Sequence, residues 1–155
     1  MFNFLKKKES SKLQQIDIIS KTASLLIHAA KIDENYTNKE KMIIERTIVE
    51  LGADKEKLSQ LMQNAEENEK NSNQILDFTK DIKYTDQNFK IKIIESLWKI
   101  IFSDNISDMY ESNLMRRLSG LLYLDNKLVG DIKEKIKKDF NKWLTSLMTT
   151  VSNVN

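Results

Sequence analysis

The chain has 155 residues, with no proline, three glycines, no cysteine and a single histidine. Its 25 basic and 23 acidic side chains leave a net charge of +2, too balanced to imply nucleic acid or an acidic substrate. Without cysteine there is no disulfide framework, thiol catalysis, zinc finger or iron–sulfur cluster, and with only His28 there is no His-paired metal site.

Residues 1–12 come first and carry four lysines and one glutamate. Phe2, Phe4 and Leu5 precede Lys6, Lys7 and Lys8, the reverse of the order in a secretory signal. The stretch reads as a flexible basic start, with weak contact to an anionic membrane surface as its one functional option. From Leu13 the apolar residues recur at helical spacing. Ile16, Ile19, Ala23, Leu26, Ile27 and Ala30 predict a first helix ending near Lys31. A second follows Thr37 with Ile44, Ile48 and Leu51 on one stripe and Gly52 as its stop. Asp54 is placed to cap a third helix burying Leu58, Leu61, Met62 and Ala65, and polar residues 64–73 predict a loop. Ser72 then caps a short fourth helix through Ile75, Leu76, Phe78 and Ile82. Thr85 or Asp86 opens a fifth, where Ile93, Ile94, Leu97, Trp98, Ile100, Ile101 and Phe102 are apolar on most sides. Such a helix belongs at the centre of a domain. A sixth follows Asp108 with Leu114, Met115, Leu118, Leu121 and Leu122. The seventh starts near Asp125 and carries Leu128, Ile132, Ile136, Phe140, Trp143 and Leu147, before a tail at 149–155 expected to fray. No run of about 18 apolar residues exists to span a membrane.

An internal repeat links the two halves. Leu26, Asp33, Glu40, Arg46, Leu51 and Asp54 match Leu97, Asp104, Glu111, Arg117, Leu122 and Asp125 at a constant offset of 71. Two copies are too few for a solenoid. The expectation is an all-α domain over 13–148, about seven helices, in which two duplicated three-helix halves are joined by the fourth helix as connector.

Each half places an Asp at a helix end and a Glu seven residues on, at the next helix start: Asp33 with Glu40, and Asp104 with Glu111. Two readings of these pairs stay open. In the first, Thr37-x-x-Glu40 and Asp108-x-x-Glu111 are capping boxes, and the Asp residues bond loop amides. In the second, Asp33 and Glu40 in one loop, and Asp104, Asp108 and Glu111 in the other, are ligands for a hard cation such as Ca²⁺ or Mg²⁺, which takes several oxygens from a short loop. Neither loop has the EF-hand pattern.

The strings Leu25-Leu26-Ile27-His28-Ala29-Ala30-Lys31-Ile32-Asp33 and Leu97-Trp98-Lys99-Ile100-Ile101-Phe102-Ser103-Asp104, with Tyr110-Glu111 and Leu114-Met115-Arg116-Arg117-Leu118 after the second, resemble the motifs of the tellurite-resistance TerB-like family. The similarity spans about 13–142. It implies an all-α, seven-helix, internally duplicated fold and a role in tellurite resistance, stress response or metal-ion sensing, often at the inner face of the membrane. It also implies a relation to the helical domain that precedes the J-domain in DjlA co-chaperones. The family's Gly after each Asp is here Glu34 and Asn105. Asn accepts a left-handed backbone and Glu does so poorly, so the first loop is expected to change shape.

Other residues have plain readings. His28 is a half-buried or surface side chain. Trp98 and Trp143 are core anchors. Arg116 and Arg117 are surface cations, and Lys133, Lys135, Lys137, Lys138 and Lys142 make a solvated basic face with no aromatic stacking platform. Three glycines and no nucleophile motif leave no phosphate cradle or serine-type active site. The chain therefore reads as a non-enzymatic module of the cytoplasm, or peripheral to the inner face of the membrane, binding a cation, a protein partner or both, and no nucleic acid. The alternatives are a carboxylate–metal hydrolase and a co-chaperone-type adaptor.

Overall fold

A computed structural model describes residues 2–32, 34–72, 74–103 and 108–154, with side-chain surroundings defined for all of these except 2–5, 7–10, 108–111, 141, 143, 144 and 150–154. Among the described residues there are seven α-helices and no strand: α1 Phe2–Ala30, α2 Asn38–Glu50, α3 Leu58–Asn71, α4 Leu76–Ile82, α5 Gln87–Ser103, α6 Asp108–Leu121 and α7 Asn126–Val154, with a 3₁₀ turn at Lys55–Lys57. None of them is long and apolar enough to cross a membrane.

Two helices form the middle of the fold. Helix α1 packs against α2, α3, α4 and α5, and α5 packs against α1, α2 and α7. On α5, Ile93, Ile94, Leu97 and Ile100 are fully buried, as a helix apolar on most sides requires. On α1 the whole run from Thr22 to Ile27 is buried, including Thr22 and Ser24. The two hydroxyls are tolerated because Thr22 donates to Ile18 O at 2.8 Å and Ser24 donates to Ala65 O at 2.9 Å. Trp98 anchors α5 to α7: it is buried, and its Nε1 donates to Val129 O at 3.1 Å. Trp143 lies outside the residues with described side chains.

The helix starts follow the polar residues in the sequence. Asp54 Oδ1 accepts from Glu56 N at 3.1 Å, Asp86 Oδ1 from Phe89 N at 2.8 Å, and Asp125 Oδ1 from Lys127 N at 2.9 Å. Two helix ends correspond bond for bond. At the end of α2, Leu51 N, Gly52 N and Ala53 N donate to Thr47 O, Val49 O and Ile48 O; at the end of α6, Leu122 N, Tyr123 N and Leu124 N donate to Leu118 O, Gly120 O and Ser119 O. The residue that turns the chain has a positive φ in each case, +116° at Gly52 and +57° at Tyr123. This is the left-handed helix stop, which favours glycine because it has no Cβ.

Four elements differ from expectation. Helix α1 begins at Phe2 rather than Leu13, because residues between them include strong helix formers and no Gly or Pro. Residues 11–17 are exposed, so this part of the helix stands clear of the core. Helix α3 continues to Asn71 through the stretch expected as a loop. Its buried side continues as Met62, Ala65 and Glu69, and the last of these hides the periodicity by being charged. Helix α4 starts after Ile75 with no side-chain cap, and Ser72 bonds Gln74 and Asp77 instead. At the C-terminal end α7 runs to Val154, past the expected end of the domain at 148.

Candidate functional site

The acidic pair of the first half is carried on the loop between α1 and α2. Helix α1 ends at Ala30, and Lys31 N donates to Ile27 O at 3.0 Å. The chain then turns at Glu34, whose φ is +63° and whose N–H reaches Lys31 O at 2.9 Å. Glu34 thus keeps the left-handed backbone of the glycine it replaces, against the expectation of a changed shape at this residue, at a cost of about 1–2 kcal/mol.

Thr37 closes the loop as the N-cap of α2. Its Oγ1 accepts from Glu40 N at 3.2 Å, and Glu40 Oε1 accepts from Thr37 N and from Thr37 Oγ1, both at 2.9 Å. The capping-box reading of Glu40 is therefore realised. The box uses only half of the carboxylate. Glu40 is 0% exposed, and its Oε2 is buried with no hydrogen-bond partner. The Tyr36 hydroxyl is likewise buried and unpartnered. Burial, with Glu66, Glu45 and Glu40 nearby, holds that hydroxyl well above the usual phenol range. Burial also raises Glu45 above the usual carboxylate value; Lys41 opposes the shift and Glu66 adds to it.

Beside the loop lies an open cleft of about 530 Å³ lined by Lys31, Tyr36, Gln63, Glu66, Glu67 and Lys70, among others. Two of its charged residues, Lys31 and Glu66, are paired with neighbours outside the lining. Lys41 Nζ stands 3.5 Å from Glu66, and Lys31 Nζ donates to Glu69 Oε2 at 2.8 Å. Glu69 is buried, and its other oxygen lies 3.3 Å from His28 Nδ1. His28 is half-buried as expected, with its ring against Phe78. The pairing with Glu69 was hidden in the sequence because it joins α1 to α3 across 41 positions. The signal that existed was position: Glu69 falls four residues after Ala65 on the buried stripe.

The remaining ligand candidates are not brought together by what is described. Asp33 and Asp104 lie outside the described residues, and so do the side chains of Asp108 and Glu111, which start α6. Among the described residues no three His, Cys, Asp or Glu side chains converge as a metal site. Arg116 and Arg117 are exposed. Of the basic face of α7, Lys133 lies over the Trp98 ring at 5.2 Å.

A family model described as tellurite resistance protein TerB matches residues 20–134, from the middle of α1 into α7. None of the curated proteins and none of the solved structures matches the chain.

Proposed function

The chain belongs to the tellurite-resistance TerB family, and we propose that it is a non-catalytic, cation-responsive helical module serving a tellurite, stress or metal-ion response. The observation that carries this reading is Glu40. A carboxylate taken wholly out of water is costly unless both oxygens are satisfied. Here Oε1 holds the start of α2 and Oε2 has no partner. A cation at Oε2, shared with Asp33 and loop carbonyls, would supply the missing partner. A carboxylate fixed by a capping box suits binding better than proton transfer, because the group that would move is part of the helix start. In the second half the corresponding ligands are Asp104, Asp108 and Glu111. Oxygen-only donors select Ca²⁺ or Mg²⁺ over Zn²⁺, which prefers nitrogen and sulfur. The setting consistent with this reading is the cytoplasm, with a protein partner that senses the bound state.

Calorimetric titration of Ca²⁺ and Mg²⁺ into wild type, Glu40→Gln and Glu111→Gln is the test. Binding heat in wild type, reduced in either variant while the fold is retained, supports the reading. No heat and no change in melting temperature at millimolar ion in wild type sinks it.

A further inference from the structure

A second surface is built from residues unrelated to the acidic loop. Lys83 and Tyr84 sit at the end of α4, Lys90 in the first turns of α5, and Tyr123 just past the end of α6. Tyr84 is 76% exposed and Tyr123 65% exposed, so neither ring is there to fill the core. The Lys83 ammonium stands over both rings, 5.1 Å from the Tyr84 centroid and 5.4 Å from that of Tyr123. Lys90 is buried, at 7% exposure, and its Nζ lies 6.0 Å from the Tyr123 ring. Two exposed aromatic rings thus share two cations, one of which is held in place by its own buried stem.

Tyr123 occupies this place against the preference of its backbone. It stands in the left-handed conformation at a helix stop, and the matching stop after α2 uses Gly52. A bulky residue with φ of +57° is a backbone outlier, and its exposed side chain regains nothing from the core. Strain of this kind persists where a side chain has work outside the fold.

We propose that Lys83, Tyr84, Lys90 and Tyr123 form a docking surface for a short acidic segment of a partner protein. Tyrosine rings supply large rigid contact area at low entropy cost, and are enriched where interfaces concentrate their energy. The ammonium groups between them fit single carboxylates set among apolar residues. The flanking charges favour a short protein segment over a nucleic acid. Asp86 and Asp125, exposed and fixed as helix caps two residues from Tyr84 and Tyr123, would repel any continuous run of negative charge, which excludes a phosphate backbone and leaves a segment whose carboxylates are isolated.

The experiment uses the full chain and three labelled probes in fluorescence anisotropy: a Glu-rich peptide whose carboxylates are spaced apart (Glu-Leu-Ser repeats), its Lys-rich counterpart (Lys-Leu-Ser repeats), and oligo-dT. The Glu-rich peptide is expected to bind, the Lys-rich peptide is not, and affinity should fall with salt. Tyr123→Gly and Tyr84→Ala should each weaken binding about fivefold or more. Lys83→Glu should abolish it, whereas Lys137→Glu, the same charge change on an exposed part of α7, should leave most of it. Tyr123→Gly is the decisive variant because it is charge-neutral and suits the backbone, so a retained melting temperature separates lost docking from lost folding. Equal binding by wild type and Tyr123→Gly, or no preference for the Glu-rich peptide over the Lys-rich one, overturns the proposal. Tighter binding of oligo-dT than of the Glu-rich peptide overturns it too, and assigns the patch to nucleic acid.

Discussion

Replacing Glu40 by Gln should have an effect that depends on the solution. In a chelator the wild-type carboxylate is wholly buried, accepts two hydrogen bonds at Oε1 and leaves Oε2 without a partner. Gln keeps an acceptor for the Thr37 N–H and hydroxyl, so the capping box survives. Exchanging charge-assisted bonds for neutral ones costs about 1 kcal/mol, and removing a buried unpaired charge recovers a similar amount. Without divalent ions the Gln variant should therefore lie within about 1 kcal/mol of wild type. Glu40→Ala is different. It orphans the Thr37 N–H, loses the cap and opens a cavity, which together cost about 2–4 kcal/mol. When the ion is added at about 100 times its dissociation constant, the Glu40 site should give wild type about 2.7 kcal/mol by linkage, or roughly 5–10 °C in melting temperature, beyond whatever Gln gains through the second loop. Thermal melts by circular dichroism in EDTA, and across a series of CaCl₂ and MgCl₂ concentrations, read out the gap between the two proteins. If Gln loses more than about 2 kcal/mol in EDTA, Oε2 is already satisfied and the premise fails. If the gap is the same with and without ion, capping is all that Glu40 does.

Other predictions follow from the backbone and the titrating groups. Gly52→Ala should destabilise the protein by about 1 kcal/mol in denaturant melts: a Cβ there meets nothing closer than 3.6 Å, so the cost is the φ of +116° alone. Glu34→Gly should be neutral to stabilising by up to about 1 kcal/mol in the same assay, because relief of the left-handed Glu competes with the added freedom of the unfolded chain. Asp81 is held below its ordinary value of 3.8 by its hydrogen bond to Lys21, so that pair stabilises the fold above about pH 4 and the contribution is lost as pH falls through the lowered value. Asp81→Asn should remove that part of the acid-side loss in a pH series of melts. Glu45 has the opposite sign: burial raises it from 4.5, so its penalty grows as pH rises past that value. Glu45→Gln should stabilise at neutral pH and change little at pH 4.

The all-helical fold was legible because its signals are local. Thr37, Asp54, Asp86 and Asp125 each bond the backbone at the start of a helical segment, and Gly52 ends one, as their types and positions implied. The differences at α1 and α3 share a cause: a polar surface does not mean an absent helix. Residues 2–12 and the end of α3 have helix-forming composition, and α3 keeps a buried stripe that passes through Glu69. A buried charge defeats a hydrophobic pattern, because its partners Lys31 and His28 come from a distant helix. The same limit hid Lys83 over Tyr84 and Tyr123. Periodicity along a chain says nothing of which two turns will meet.

The acidic pair shows where sequence reasoning meets a physical ambiguity. Capping and cation binding are the two roles the sequence offers for Glu40, and since a carboxylate has two oxygens the roles are compatible. Oε1 is committed to Thr37, which fixes the rotamer and the direction of Oε2. A group oriented in this way needs no rearrangement to accept a cation, so part of the ordering cost of binding has already been met by folding. The helix it caps also benefits from Glu40, since a negative charge at an N-terminus is favourable. A cation at Oε2 would draw its other oxygens from the loop that turns at Glu34 in its left-handed conformation. Glu34→Pro should break that turn, since proline cannot adopt φ of +63°, and so should abolish the first loop's share of the ion response, the share that Glu40→Gln removes, while Glu40 still caps α2. An unchanged ion response in that variant would separate the cation from the loop altogether.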